Sequence, residues 1–257
     1  MTETTDPLSA FRLDGRVAVV TGASSGLGAR FARVLHAAGA HVMLAARRAD
    51  RLEALAADLS RSRPVVCDLT IAADVERLVR DALDVDGHID VLVNNAGIGT
   101  PVPAEDEPVD RFRDVLEVNV TLAFAVTQAV GRHMLAAGRG SIVNVASVLG
   151  LVSAGQIPFA SYAASKGALI SLTRELAAQW GRRGVRINAI APSWFESEMT
   201  AEMFADERSM AWVARKTPLG RASAEHELDG TLLWLASDAS SYVTGQVIAV
   251  DGGYTAV

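Results

Sequence analysis

Short apolar runs alternate along this chain with longer segments whose apolar residues recur at helical spacing. The short runs are VAVVT (Val17–Thr21), HVMLAA (His41–Ala46), PVVCDL (Pro64–Leu69), IDVLVNNAG (Ile89–Gly97), SIVNVAS (Ser141–Ser147), VRINAIAP (Val185–Pro192) and QVIAVDGG (Gln246–Gly253). They are continuously apolar rather than alternating, which predicts strands covered on both faces. Between them lie helical patterns. Ala29–Gly39 follows the first strand, with Leu27, Phe31, Leu35 and Ala38 on one face. Asp50–Leu59 comes next, where Asp50 and Glu53 predict a capping box. Ala73–Leu83, about Val109–Ala137, about Phe159–Gly181 and Glu227–Ser237 complete the set.

Repeated βα units with right-handed crossovers give an α/β, doubly wound parallel sheet. The expectation is a Rossmann fold of about seven strands with helices on both faces. A single domain is expected over residues 13–257, with residues 1–12 as a polar, acidic tail. Sheets of this kind bind ligands beyond the carboxyl ends of their strands. The residues that follow each strand are therefore the candidates for chemistry.

After the first strand comes TGASSGLG, with Gly22, Gly26 and Gly28 between strand and helix and Ser24, Ser25 and Leu27 among them. Glycine permits a tight turn and a close backbone approach, and the helix N-terminus that follows favours a pyrophosphate. After the second strand come Ala46, Arg47 and Arg48, where an NAD site usually carries an acid for the ribose 2′-hydroxyl. Two guanidinium groups suit a 2′-phosphate instead, so the expected cofactor is NADP(H). Asp68 and Leu69 follow the third strand and could meet the adenine. Asn95, Ala96 and Gly97 follow the fourth and could tie neighbouring strands and line a flat ligand. Ser147 ends the fifth strand. Asn119 interrupts an otherwise apolar stretch of helix, where a buried amide needs partners; the alternative is a polar residue that only bends the helix. In SYAASKGAL (Ser161–Leu169), Tyr162 and Lys166 stand one helical turn apart among small residues.

Composition narrows the classes. Half of the 257 residues are hydrophobic and the net charge is -6, with no basic cluster beyond short pairs such as Arg47-Arg48. No nucleic-acid partner is expected. The one cysteine, Cys67, rules out an intrachain disulfide and reads as a buried thiol, and the five histidines show no ligand spacing, so no metal is expected. No apolar run reaches the ~18 residues of a membrane span, and the N-terminus is unlike a signal peptide. The expectation is a cytoplasmic protein with no membrane partner.

Taken together, TGASSGLG, NNAG, Asn119, Ser147, YAASK and VTGQVIAVDGG make the chain resemble the short-chain dehydrogenase/reductase family, from about Leu13 to Gly253. The resemblance, closest to 3-oxoacyl carrier-protein reductases, implies a catalytic set of Asn119, Ser147, Tyr162 and Lys166. Tyr162 would be the general acid in carbonyl reduction and the base in alcohol oxidation. Its unperturbed pKa near 10 would be lowered by Lys166. Lys166 would also bond the nicotinamide ribose, Ser147 the substrate oxygen, and Asn119 a water leading to solvent. Pro192, Phe195 and Ser197 would meet the nicotinamide end. The family's usual Pro-Gly after the sixth strand is Pro192-Ser193 here, and the Ser147–Tyr162 gap is slightly long. The resemblance also implies a mobile lid over about residues 193–216 and a homotetramer or homodimer.

The lid's aromatic and methionine residues suggest an apolar, adaptable pocket. Gln156, Phe159, Trp194 and Met203, with Ser147, are the candidate substrate contacts, for a ketone or 3-oxoacyl group. The readings left open are an NADP(H)-dependent carbonyl reductase, an NAD-linked alcohol or sugar dehydrogenase, and a non-catalytic dinucleotide sensor or scaffold.

Overall fold

The computed structural model describes residues 6–155 and 157–257. Met1–Thr5 and Gln156 lie outside the described residues, and with them part of the expected tail and one expected substrate contact. The described part of the tail carries a 3-10 turn, Pro7–Phe11, capped by the Asp6 side chain.

Seven strands form one parallel sheet: β1 (Val17–Thr21), β2 (His41–Ala46), β3 (Ser62–Val66), β4 (Val91–Asn94), β5 (Gly140–Val145), β6 (Val185–Pro192) and β7 (Val247–Val250). Their spatial order is β3-β2-β1-β4-β5-β6-β7. The helices are α1 (Gly26–Ala37), α2 (Ala49–Ala57), α3 (Ala72–Asp86), α4 (Val109–Leu116), α5 (Leu122–Ala137), α6 (Ala160–Trp180), α7 (Ala201–Ala205), α8 (Glu207–Lys216) and α9 (Asp229–Ala236).

Strand periodicity divides the core into two layers. Ala18 and Val20 of β1 point to one face, where Phe31 and Leu35 of α1, Leu52 and Leu55 of α2, and Leu232 and Leu235 of α9 cover them. Val17 and Val19 point to the other, under Leu78 of α3, Val126 and Val130 of α5, and Leu176 of α6. A strand covered on both sides has no use for polar alternation, which is why β1 reads as an unbroken apolar run. The chain reverses its direction of winding between β1 and β4, so their carboxyl ends flank the crevice of the sheet.

Two helical expectations are corrected. The capping box at Asp50 and Glu53 does not form: α2 starts at Ala49 with Arg48 as N-cap, so Asp50 sits inside the first turn. There it still favours the helix dipole. The single helix expected over Val109–Ala137 is broken by a π turn, Glu117–Thr121, centred on Asn119. Such bulges re-aim one side chain without ending the helix.

The sheet carries a buried polar chain. The Asn94 amide donates to Thr127 Oγ1 (2.7 Å) and to Asn144 Oδ1 (2.9 Å), and the Asn144 amide donates to Thr173 Oγ1 (2.9 Å). It joins α5, β4, β5 and α6, so the helix bearing Tyr162 and Lys166 is registered against the strands beneath it. Removing one member strands the others without water. Asn144→Ala is therefore expected to lower the unfolding free energy by about 2 kcal/mol. Urea denaturation checks this, and a loss below roughly 0.5 kcal/mol, the scale of an ordinary surface change, contradicts it.

Candidate active site

A cleft of about 680 Å³ lies beyond the carboxyl ends of the strands, over the β1/β4 crevice. All of the residues expected to hold a dinucleotide line it, from Gly22 and Ser24 through Arg47, Arg48, Asp68 and Asn95 to Pro192, Phe195 and Ser197. Of the four expected catalytic residues, Ser147, Tyr162 and Lys166 line it as well. Asn119 is buried just beneath.

The floor is set by the turns after β1 and β4. Gly22 takes a φ of 67°, which an L side chain rarely adopts. Thr21 Oγ1 accepts from the backbone N–H groups of Asn95 (3.1 Å) and Ala96 (3.2 Å). The Asn95 amide donates back to the Thr21 carbonyl (3.1 Å). These bonds lock the two turns together. Helix α1 begins at Gly26 with no acidic residue of its own in the first turn and no side-chain cap bond, which leaves N–H groups free at the cleft.

Lys166 is the buried cation of the site, 4% exposed. Its ammonium donates to the Val145 carbonyl (2.7 Å) and lies 5.4 Å from the centroid of the Tyr162 ring. A side chain on Gly97 would meet Lys166 Nζ at 3.6 Å and Asn119 Oδ1 at 3.2 Å, and one on Gly99 would penetrate the Tyr162 ring. The strip after β4 is thus glycine where the Tyr–Lys pair needs backbone close by. Asn119 holds that strip: its Oδ1 accepts from Ile98 N–H (2.8 Å), and its amide donates to the Ile98 carbonyl (2.8 Å) and Ser165 Oγ (2.9 Å).

Burial governs the titration of the pair. Burial pushes the Tyr162 phenol above its ordinary value, with the Ser147 hydroxyl drawing it the other way. Burial also pushes Lys166 down, to about 8. Desolvation opposes the charged form of each group. At neutral pH the pair is a protonated phenol beside a mostly charged ammonium, ready to give a proton. Cys67 is buried and its thiol is pushed up to about 11, in keeping with an inert side chain.

The expected substrate contacts divide. Ser147 faces the cleft. Phe159 packs on Tyr162 with ring centroids 5.6 Å apart, and Trp194 joins Trp212 and Tyr254 in an aromatic cluster against which Met203 packs. All three pack in the apolar cluster that also takes in Tyr162. Trp194 borders a second cavity of about 200 Å³, and Ser193 lines both that cavity and the cleft. Met199, one of the lid methionines, lines the cleft, and so do Ile98, Leu122 and Thr200, which no sequence pattern marked. Ile98 could have been found, since it directly follows NNAG. Glu198 was also missed. It receives bonds from Ser25 Oγ (2.9 Å), Arg48 Nη1 (3.0 and 3.1 Å) and Arg51 Nη1 (2.7 Å). The Ser25 bond first, then the Arg48 bond, hold its carboxyl below the usual range.

Comparison with known proteins places this geometry. The family model described as enoyl-(acyl carrier protein) reductase matches residues 22–255. The chain is 41% identical over 253 residues to gluconate 5-dehydrogenase of Gluconobacter oxydans, covering 95% of this chain and 96% of that one. It is 42% identical over 246 residues to cis-4-hydroxycyclohexanecarboxylate dehydrogenase of Sinomonas cyclohexanicum, covering 94% and 97%. The crystal structure of a gluconate 5-dehydrogenase from Burkholderia cenocepacia in complex with NADP and tartrate superposes with a TM-score of 0.93 at 37% identity, covering 98% of this chain and 100% of that one.

The lowered pKa of Lys166 has a consequence for stability. Between about 8 and 10.5 the unfolded chain keeps a proton on this lysine that the folded chain has released. Stability contributed at this site therefore rises with pH across that window. Relative to Lys166→Met, the wild type is expected to gain up to about 3 kcal/mol from pH 7.5 to 10.5. Denaturant titrations of both proteins at several pH values check this, and a pH-independent difference contradicts it.

Proposed function

The chain belongs to the short-chain dehydrogenase/reductase family, and on that premise we propose how its residues divide the work. It is an NADP(H)-dependent oxidoreductase that interconverts a carbonyl group and a secondary alcohol on a small-molecule substrate. The cleft fits such a cofactor on its own chemistry. A glycine turn and a helix N-terminus suit a pyrophosphate, and Arg47 and Arg48 beyond the neighbouring strand suit a 2′-phosphate. Bound there, the cofactor supplies the hydride chemistry at its nicotinamide ring.

In this reading Tyr162 gives its proton to the carbonyl oxygen during reduction and takes one back during oxidation. Ser147, whose hydroxyl acts on the Tyr162 phenol, orients the same oxygen. Lys166 keeps a positive charge beneath the phenol and bonds the ribose. Asn119 holds the Ile98–Gly99 backbone against the pair, and its role in leading a water to Lys166 is carried over from the family. Pro192, Phe195 and Ser197 meet the nicotinamide end. The observation that carries the reading is the buried Lys166 ammonium beside Tyr162, at the end of the cleft remote from the arginines.

For the substrate we propose an apolar or cyclic ketone and its alcohol. Ile98, Leu122, Phe195 and Met199 give the reaction end an apolar lining. The residues after β6, with α7 and α8, would act as the lid. No helix among the described residues is long and apolar enough to cross a membrane. A cytoplasmic homotetramer or homodimer is the assembly we propose. The exposed Val109 and Phe124 on α4 and α5 offer apolar surface for its interface.

Oxidation of NADPH and of NADH against cyclic ketones, β-keto esters, 3-oxoacyl thioesters and keto-sugar acids tests this reading. NADPH is expected to support reduction of a cyclic or apolar ketone with kcat/KM about tenfold or more above NADH, the scale of one charge-assisted bond to the 2′-phosphate. Equal or better turnover with NADH contradicts the arginine assignment, and turnover confined to keto-sugar acids contradicts the apolar substrate.

A further inference from the structure

The phosphate end of the cleft holds cations that are already partly engaged. The Arg48 guanidinium lies across the glycine turn. Its Nε and Nη2 donate to Ser24 Oγ (3.1 and 2.9 Å), Nη2 also donates to Ser25 Oγ (2.6 Å), and Nη1 donates to both oxygens of Glu198. Arg51 adds a second guanidinium and Ser25 a hydroxyl to the same carboxylate. A carboxylate that gathers two guanidinium groups and a serine hydroxyl makes the set of bonds that a phosphate makes in such a site. Arg47, by contrast, is exposed, and the anionic group whose charge it touches is Asp68.

We infer that Glu198 is an internal competitor of the cofactor's 2′-phosphate, and that it sets how strongly this chain prefers NADP(H) over NAD(H). The physical argument is a balance. A dinucleotide without the 2′-phosphate does not compete with Glu198 for Arg48, and meets the carboxylate only through the pyrophosphate that both cofactors share. A dinucleotide with it gains Arg47 at once but must draw Arg48 away from Glu198, and it brings its own negative charge toward the carboxylate. The pair can yield because it is about half exposed, with side-chain exposures of 50% for Glu198 and 40% for Arg48. Exposed ion pairs are weak, and a doubly charged phosphate outcompetes a single carboxylate. The carboxylate sits one residue after Ser197, in the segment that follows β6, so it belongs to the cleft's far wall and not to the glycine turn it grips.

Equilibrium binding to the cofactor-free protein tests this, with NADPH and NADH fluorescence as the readout and thermal melting to confirm folding. Glu198→Gln is expected to lower the Kd for NADPH by about fivefold or more, the scale of one exposed ion pair together with relief of like-charge repulsion. The Kd for NADH should fall by less than that for NADPH, so that the NADPH/NADH affinity ratio rises. A double-mutant cycle isolates the pairing: Arg48→Gln should weaken NADPH binding more in the Glu198→Gln background than in the wild type. An NADPH/NADH affinity ratio that stays constant or falls in Glu198→Gln overturns the inference, as does an Arg48→Gln cost that is the same in both backgrounds. Either result would make Glu198 an organiser of the arginines rather than their competitor.

Discussion

The site rests on one constraint, the burial of the Lys166 ammonium with the Val145 carbonyl as its bonded partner. A cation taken out of water is costly, and it persists only where the surrounding structure fixes it. Much of the local architecture serves that need. Helix α6 is registered on the sheet by the Asn94–Asn144–Thr173 chain. The strip after β4 is glycine at residues 97 and 99, so backbone can lie against Lys166 and Tyr162. The π turn around Asn119 aims an amide that holds this strip by both edges of Ile98.

The same cleft is divided by charge. Arg47, Arg48 and Asp68 line it beyond β2 and β3, with Glu198 bonded to Arg48, whereas Ser147, Tyr162 and Lys166 line it beyond β5. Separation of this kind lets one cavity perform two tasks. The charged end contributes binding and selectivity through groups that remain in contact with water, where their interactions are modest and adjustable. The reaction end is dry enough that burial moves both Tyr162 and Lys166 away from their ordinary values. A phenol held protonated there suits proton donation to a carbonyl oxygen.

The strands and the ligand-facing turns were legible in the sequence because both follow from short-range rules. Continuous apolar runs announce buried strands, and polar or glycine residues directly after them announce the cleft. What was not legible depends on contacts distant in sequence. Glu198 meets Arg48 across 150 positions, and nothing local marks an acidic residue as an arginine's partner. Trp194 packs on the Tyr254 ring, a contact with a residue far along the chain that no local pattern marks. The capping box at Asp50 failed by a shift of the helix start, the least determined feature of any helical pattern. The helix break at Asn119 was foreseen only as an alternative, because a single buried amide does not reveal whether it bends the helix or binds a partner. Here it does both.

The central claim is that Tyr162 exchanges the proton while other residues hold the cofactor. Tyr162→Phe removes the hydroxyl and keeps the ring against Gly99 and Phe159. The decisive measurement pairs the Kd for NADPH with kcat/KM for ketone reduction in this variant. The account predicts an NADPH Kd within about twofold of wild type and a fall in kcat/KM of about a thousandfold, the scale of general acid catalysis. Turnover within about tenfold of wild type, below the usual contribution of a general acid, would contradict it.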